Sequence, residues 1–590
     1  MKKIVFPMII ALIAIFACTS EKKSIVESWN EPEDNKPYDT IEWEAVPEGL
    51  QVSVATVDRR YSKKSVPDTG NNNTWAGSAW RGEKVNLQLV LWSAESVAEI
   101  SCTASDLTDT NGNIISLSNV EIFFVRYLLT DEYGQYGCEK QRNPAGYDSL
   151  LVADILDPLP EFNKDPNSAR PVWVTIEVPE DCPAGQYSGI ITVNAKNQKE
   201  KKVELNLNVQ NEVLPHSQDW DFHLDLWQNP YAVARYNNVR VWSEEHFNLL
   251  RPLLEMLADA GQKCITTSIV PKPWGGQTYD YFESMIKWEK VENEEWEFDY
   301  ADFDKWVEFA MSCGIDEQIN CYSMIPWGNN FTYFDVALQK DTTINTAPGS
   351  AVYEELWSPF LRQFTAHLKD KGWLDIAVIA MDERAPEDMQ KAINFVKKVA
   401  PELKITLAGG YHEEINDDLY NLCVASKHIV PEGDLKQRSS KGFKTTFYVC
   451  CAEPYPNNFT FSPPAESAYM GWYAAAKGFD GFLRWAYNSW VKDPLVDSRF
   501  RRWPGGDTFL VYPGARSSIR FERLREGIQD FEKIKIVKSR LEKENTEAAK
   551  EKLKWLNGFL ETVNISALDS VPAENFVIKG KKVLESLSKD

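Results

Sequence analysis

The chain of 590 residues is 43% hydrophobic and 26% charged, a globular composition too long for one core and suited to two or three domains. Its formal net charge of −23, with no basic cluster in the mature region, argues against nucleic acid and anionic membrane surfaces as partners. A neutral or cationic ligand fits that balance.

At the N-terminus, Lys2 and Lys3 precede the apolar run "IVFPMIIALIAIFA", which is too short for a comfortable membrane span and has the form of an export signal. The run meets Cys18, and "IFAC" resembles the lipobox of bacterial lipoproteins. Residues 1–17 are therefore expected to be a signal peptide, with Cys18 the lipidated first residue of an exported protein. The anchor would hold it to a bacterial envelope membrane on either the periplasmic or the cell-surface face, and that lipid would be its only membrane contact. Residues 18–45 are polar and proline-containing and read as a tether. The cysteines after Cys18 have no CxxC spacing, so they define neither a disulfide framework nor a zinc site and read as small buried apolar side chains.

Residues 46–215 offer strand after strand: "LQVSVATVDRR", "KVNLQLVLWSA", "EISCTASDL", "VEIFFVRYLL", "VWVTIEVP", "GQYSGIITVNA" and "KVELNLNVQ". Short alternating strands with turns such as "TNGN" and "CPAGQ" predict a β-sandwich, closed by a linker at Pro215. From 216 to 590 the pattern changes to apolar strands alternating with helices. The strands are "WDFHLDLW", "KCITTSIV", "QINCYSMI", "DIAVIAMD", "KITLAGG", "LCVASKHI", "KTTFYVCC" and "DGFLRWAY", which predict a (β/α)8 TIM-type barrel. Helices are expected from Ser243 to Gly261 and from Pro386 onward, and the last 70 or so residues form a helical extension.

Such a barrel places its chemistry at the C-terminal ends of its strands. Asp382 and Glu383 end the fourth strand, followed by Arg384 and Pro386. Adjacent residues cannot flank a glycosidic bond with carboxyls about 5 to 9.5 Å apart, as most glycosidases do. They can act side by side when the substrate supplies the nucleophile: a 2-acetamido oxygen attacks the anomeric carbon, one carboxyl protonates the leaving oxygen, and the other holds the acetamido N–H. Repulsion between the two acids is expected to keep Glu383 protonated as general acid while Asp382 stays charged. The structural alternative for the pair is a helix cap or an ion pair with Arg384.

The blocks "VIAMDERAP", "DFHLDLWQNP", "GFLRWAYNSW" and "SIRFERLREGIQDFEKI" together resemble glycoside hydrolase family 123, the β-N-acetylgalactosaminidases, and the domain-of-unknown-function family that overlaps it. The resemblance covers nearly the whole mature chain. It implies a retaining exo-enzyme that removes terminal β-linked GalNAc from glycolipid or glycoprotein glycans, with Glu383 as acid/base, Asp382 positioning the acetamido group, no metal and no organic cofactor. Two alternatives stay open: a hydrolase of β-GlcNAc or another 2-acetamido sugar, and a lipid-anchored glycan-binding protein without turnover.

Further substrate-binding candidates follow from strand ends and loops. His223, Asp225 and Trp227 alternate on the first strand, with Gln228 and Asn229 at its rim, and His223 fits a structural role equally well. Trp485 and Tyr487 on the eighth strand offer faces for a pyranose, or core packing. Tyr322 and Tyr448 supply hydroxyls near the ends of strands three and seven. Trp274 in "KPWGG" and Trp327 in "IPWGNN" read as a subsite wall. Asp507 and Tyr512 lie on a glycine-containing lip, whereas Arg520, Glu522, Arg525 and Asp530 read as structural ion pairs.

Overall fold

The computed structural model describes residues 29–33, 39–131, 138, 149–291, 295–500 and 503–588. The signal segment 1–17, Cys18 and the first part of the tether lie outside the described residues.

The N-terminal domain is built mainly of β-strands. A five-stranded sheet (Gln51–Ala55, Lys84–Ser93, Ser168–Glu177, Val120–Thr130, Leu150–Asp157) faces a second sheet built on Thr74–Arg81, Lys201–Val213, Gly185–Asn194, Val97–Ala104 and Phe162–Lys164. The inward residues of both, among them Leu87, Leu89, Leu91, Val172, Val174, Tyr187, Ile191, Leu205 and Leu207, share one apolar core, as period-two alternation requires. Thr74–Arg81 and Leu150–Asp157 were not among the expected strands. The first is interrupted by Gly77 and Ser78, and the second carries two aspartates whose partners lie elsewhere in the chain.

The tether expectation is corrected over its described part. Thr40–Glu44 is a helical turn that buries Trp43 against Val90, Trp92 and Ala169, and Asp39 caps it by accepting from the Ile41 N–H. Glu31 is clasped by Arg170, whose Nη2 lies at 2.8 Å, by Arg126 at 2.9 Å and by Lys63 at 3.1 Å. Burial would raise its pKa, but these three cations hold it well below the ordinary range. A polar stretch reads as solvated only because its partners are far away in sequence.

Eight parallel strands then form a nearly closed barrel in the order His223–Leu226, Gly481–Arg484, Lys444–Tyr448, Asn421–Ala425, Lys404–Gly409, Ala377–Asp382, Gln318–Tyr322, Cys264–Ser268. The eight segments picked from the sequence are these eight. At the seam between the first two strands in chain order, only a single bridge, Leu224 to Gln262, joins the ladder. Two amide side chains stitch the rest: Gln262 Oε1 accepts the Leu226 N–H at 3.0 Å, and Gln228 Oε1 accepts the Thr266 N–H at 2.9 Å. Gln228 and Asn229 are therefore used by the fold rather than the rim. Asn229 caps the helix Pro230–Asn237 by accepting from the Ala232 N–H.

A small four-stranded sheet (Lys287–Lys290, Trp296–Asp299, Asn330–Asp335, Lys340–Asn345), not foreseen from the sequence, is inserted in the loops after the second and third barrel strands. The expected helices form at Glu244–Ala258, capped by Ser243, and at Pro386–Val399.

The long helix Ile519–Glu544 joins the two halves. It crosses Pro464–Lys477 so closely that a Cβ on Gly471 would lie 1.8 Å from the Gly527 carbonyl oxygen, and one on Gly527 would lie 2.3 Å from that of Ala468. No side chain can occupy either crossing position without moving backbone. Gly527→Ala is therefore expected to destabilise the fold by about 2–4 kcal/mol, as overpacking against rigid backbone does. Urea unfolding of the two proteins checks this, and an unchanged midpoint would contradict the crossing geometry.

Candidate active site

The fourth barrel strand carries Asp382 and Glu383 to the C-terminal mouth, where the Glu383 N–H continues the ladder by donating to Ala408 at 2.8 Å. The helix that follows has Ala385 at its N-cap and no side-chain cap bond, so neither carboxylate is spent on capping. Arg384 turns aside, donating through Nε to the Ile325 carbonyl at 3.0 Å with its guanidinium 5.4 Å from the centre of the Trp327 ring.

The two acids open into a pocket with about 580 Å³ of empty space, lined also by Trp227, Gln277, Trp327, Ala408, Tyr448, Leu483, Trp485 and Trp503, with Cys138, Cys450 and Cys451 on one wall. The pocket is a carboxylate pair inside an aromatic sleeve, and a pyranose matches it: apolar C–H faces for the indoles, hydroxyls for the acids.

Of the expected site residues, the structure brings Asp382, Glu383, Trp227, Trp327, Tyr448 and Trp485 together around this pocket. Tyr448 donates its hydroxyl to Glu383 Oε1 at 2.5 Å, fixing that carboxyl's orientation. Burial and the Glu383 charge push the phenol's pKa far upward, so it stays a donor. Trp274 and Tyr322 stand one layer back. Trp274 stacks on Trp227 with ring centres 4.6 Å apart, and Tyr322 packs against both at 4.7 and 4.8 Å. They brace the floor of the pocket and do not line it.

Three expectations are corrected. His223 lies inside the barrel, accepting from Asn421 Nδ2 at 3.0 Å with Cys264 Sγ at 3.3 Å, and burial lowers its pKa to about 3, so it is a neutral core residue. Asp225 is buried beneath the site and accepts from Asn320 Nδ2 at 2.9 Å, and burial raises its pKa to about 7. Tyr487 points outward, donating to the Leu253 carbonyl at 2.9 Å and packing on Phe521. On the first strand the alternation was right, but inward at mid-strand means core in a filled barrel, and only the last inward position meets the cavity; Trp485 and Tyr487 lie past the end of Gly481–Arg484, where the alternation no longer holds.

The glycine lip is likewise structural at Asp507, which ion-pairs with Arg484 at 2.9 Å, and at Tyr512, which donates to Asp154 at 2.5 Å. Its contribution to the pocket is Trp503, edge-on to Trp485 with centres 5.9 Å apart, its indole N–H donated to Gln277. Trp503 and Gln277 were missed. "RRWPGG" held the same loop-aromatic signal as "KPWGG". The cysteine reading is corrected too: Cys138 and Cys451 form a disulfide with Cα atoms 5.2 Å apart. A sequence separation of 313 residues gives no local signal for that pairing. Among the described residues, the one cysteine-rich cluster able to hold a metal is this pair with Cys450, and the disulfide removes two of its thiolates.

The electrostatics reverse one expectation. Burial, and then the Glu383 carboxylate, push the Asp382 pKa up to about 8, against the opposing pull of Arg384 and the Trp327 indole. Asp382 is half-buried at the strand end, whereas Glu383 reaches solvent, so burial favours the neutral form of Asp382.

An aromatic-lined carboxylate pocket at the mouth of a parallel barrel defines the class, a carbohydrate-active hydrolase. Residues 54–195 match the family model described as glycoside hydrolase 123 N-terminal domain, and residues 227–537 the one described as glycoside hydrolase 123, catalytic domain. The chain belongs to glycoside hydrolase family 123. Among solved structures it is similar to a family 123 glycoside hydrolase from Clostridium perfringens, described for glycolipid glycan hydrolysis, with 29% identity, a TM-score of 0.82 and coverage of 91% of this chain and 97% of that one. A Bacteroides ovatus GH5 xyloglucanase matches at 11% identity and a TM-score of 0.28, covering 81% of this chain and 100% of that one. No curated protein matches this chain.

The pKa of Asp382 has a stability consequence. A carboxyl whose folded pKa lies near 8 instead of 3.8 contributes stability below pH 3.8 that is lost as pH rises toward 8. Asp382→Asn has no such charge to bury, so it is expected to melt above the wild type at pH 8 by a few degrees. The gap should close as pH falls to 4. Calorimetry across that range tests it, and equal melting temperatures at both ends would contradict the assignment.

Proposed function

We propose that the protein is an exo-acting, retaining β-N-acetylgalactosaminidase working by substrate assistance on terminal β-linked GalNAc of glycolipid or glycoprotein glycans. The observation that carries this reading is the adjacency of Asp382 and Glu383 at one wall of a single pocket, a placement that leaves no room for a sugar between them. The nucleophile then has to come from the substrate, and the 2-acetamido oxygen is the group in reach of the anomeric carbon.

In this reading the pair begins with its proton on Asp382. The incoming acetamido N–H donates to Asp382 and favours its anion, while the leaving oxygen settles against Glu383, so the shared proton is redistributed to the acid that must deliver it. Asp382, now charged, stabilises the positive oxazolinium intermediate, and Glu383, steered by Tyr448, afterwards activates the water that opens it. Trp227, Trp327, Trp485 and Trp503 supply the apolar faces against which the ring is held. All of these steps use side chains and substrate alone.

We also propose an exported, lipid-anchored location through Cys18. The Cys138–Cys451 disulfide supports an oxidising compartment. Labelling with a radioactive fatty acid is expected to mark the wild type and to spare Cys18→Ala.

The reaction is tested on aryl glycosides. Aryl 2-acetamido-β-galactoside should be hydrolysed with β-configured product in the first turnover, the 4-epimer more slowly, and the 2-hydroxy analogue not at all. Equal turnover of the 2-hydroxy analogue, or an α-configured product, would sink the mechanism. Glu383→Gln is expected to lose about 10²–10⁴-fold in kcat on poor leaving groups and much less on activated ones. Asp382→Asn is expected to lose about 10²–10³-fold on both. In the wild type, kcat/KM should fall as pH rises through about 8, where the pair loses its last proton. Any residual activity of Asp382→Asn should show that limb at lower pH, because the repulsion that retains the proton is gone.

A further inference from the structure

Of the residues described around the pocket, Cys138 alone comes from the N-terminal β domain, and its partner in the disulfide, Cys451, follows the seventh barrel strand. We propose that the Cys138–Cys451 disulfide is a substrate-recognition element: it fastens a residue of the N-terminal half into the wall of the carboxylate pocket, so that sugar binding depends on that bond being closed. The proposal rests on the reaction assigned above.

The two halves do not need this bond to stay together. Asp154 and Asp157 are buried between them, paired with Arg520 and Arg516 at 2.9 Å each, and Arg523 reaches Asp58 at 2.6 Å. Close to the pocket, Thr130 Oγ1 meets Thr460 Oγ1 at 2.6 Å, and Asp131 accepts the Gly505 N–H at 2.7 Å, two residues from Trp503. With the interface already fixed by buried polar contacts, the disulfide is left with a local effect. It places two polarisable sulfurs in the lining of the pocket that also holds Asp382, Glu383, Trp485 and Trp503.

The neighbouring Cys450 is consistent with a bond meant to persist. The sulfurs of Cys138, Cys450 and Cys451 lie within 4.8 Å of one another, close enough for exchange. Exchange needs a thiolate. Cys450 instead gives its backbone N–H to Glu453 Oε2 at 3.0 Å and points its S–H at the same oxygen at 3.5 Å. Burial and then that carboxylate push the thiol's pKa well up, so Cys450 stays protonated and a poor attacker.

A phosphine reductant, tris(2-carboxyethyl)phosphine, opens the bond with balanced chemistry. The S–S bond is cleaved to two thiols, the phosphine becomes its oxide, and water supplies the oxygen and both hydrogens. The folded chain is assayed on aryl 2-acetamido-β-galactoside oxidised, after phosphine treatment, and as Cys138→Ser, with opening counted by alkylation and mass spectrometry. The proposal expects KM to rise about fivefold or more while kcat stays within about twofold. It also expects a little-changed melting temperature and no further effect of phosphine on Cys138→Ser. A KM within about twofold of the oxidised value in both opened forms overturns it. So does a joint collapse of kcat, KM and melting temperature, which would make the bond a staple of the fold. If Cys138→Ser does not fold, the phosphine-treated wild type decides. Absence of hydrolysis by the oxidised protein is a different failure: it removes the reaction assignment, and this proposal with it, before any reductant is added.

Discussion

Charge taken out of water and matched across the two halves of the molecule is the constraint on which the rest of the structure depends. Asp154 and Asp157, on the last strand of one sheet, are fully buried, and removing a carboxylate from solvent costs several kcal/mol unless a partner meets it. Each has one partner within the β domain, Arg60 for Asp154 and Arg126 for Asp157, and a second from the helix Ile519–Glu544 or the turn before it, Arg520 and Arg516. Arg520 also donates to the carbonyls of Asn458, Gly506 and Phe509, and Arg516 to that of Pro513. One guanidinium thus joins the β half, the loop after the seventh barrel strand and the loop after the eighth. Misplacing the helix would leave the buried Arg520 and Arg516 without their carboxylates, which favours one register.

That register builds the pocket. Three walls come from loops that the buried charges tie down: Trp503 precedes the turn held by Arg520, Trp485 follows Arg484 and its pairing with Asp507, and Cys451 precedes the segment whose Asn458 carbonyl Arg520 takes. The aromatic sleeve is therefore held by structure outside it. The acids themselves sit on the barrel, at the end of a strand whose ladder fixes them to a fraction of an ångström, as a catalytic constellation requires. Rigid acids and loop-borne tryptophans divide the work of chemistry and recognition in the way barrel enzymes commonly do.

The pair of carboxylates shows how environment, more than residue type, sets role. Both acids are neighbours in sequence, yet Asp382 turns into the protein under Trp327 while Glu383 reaches toward solvent and Tyr448. Burial first, and then the Glu383 charge, favour a neutral Asp382 in the empty site. From sequence the repulsion was evident, and the burial that favours a neutral Asp382 was not.

The sequence by itself determined the elements and the acids. Eight apolar runs spaced by helical periods pointed to a parallel barrel, and a carboxylate pair at the end of the fourth run then falls at its mouth, because strand direction and face follow from local pattern. Tertiary structure alone decided what joins distant residues. It buried Glu31 against Arg126 and Arg170, turned His223, Asp225 and Tyr487 into core, set Trp503 and Gln277 in the wall, and joined Cys138 to Cys451. Periodicity records which way a side chain points along its own element. It carries no record of which side chain, hundreds of residues away, will be there to meet it.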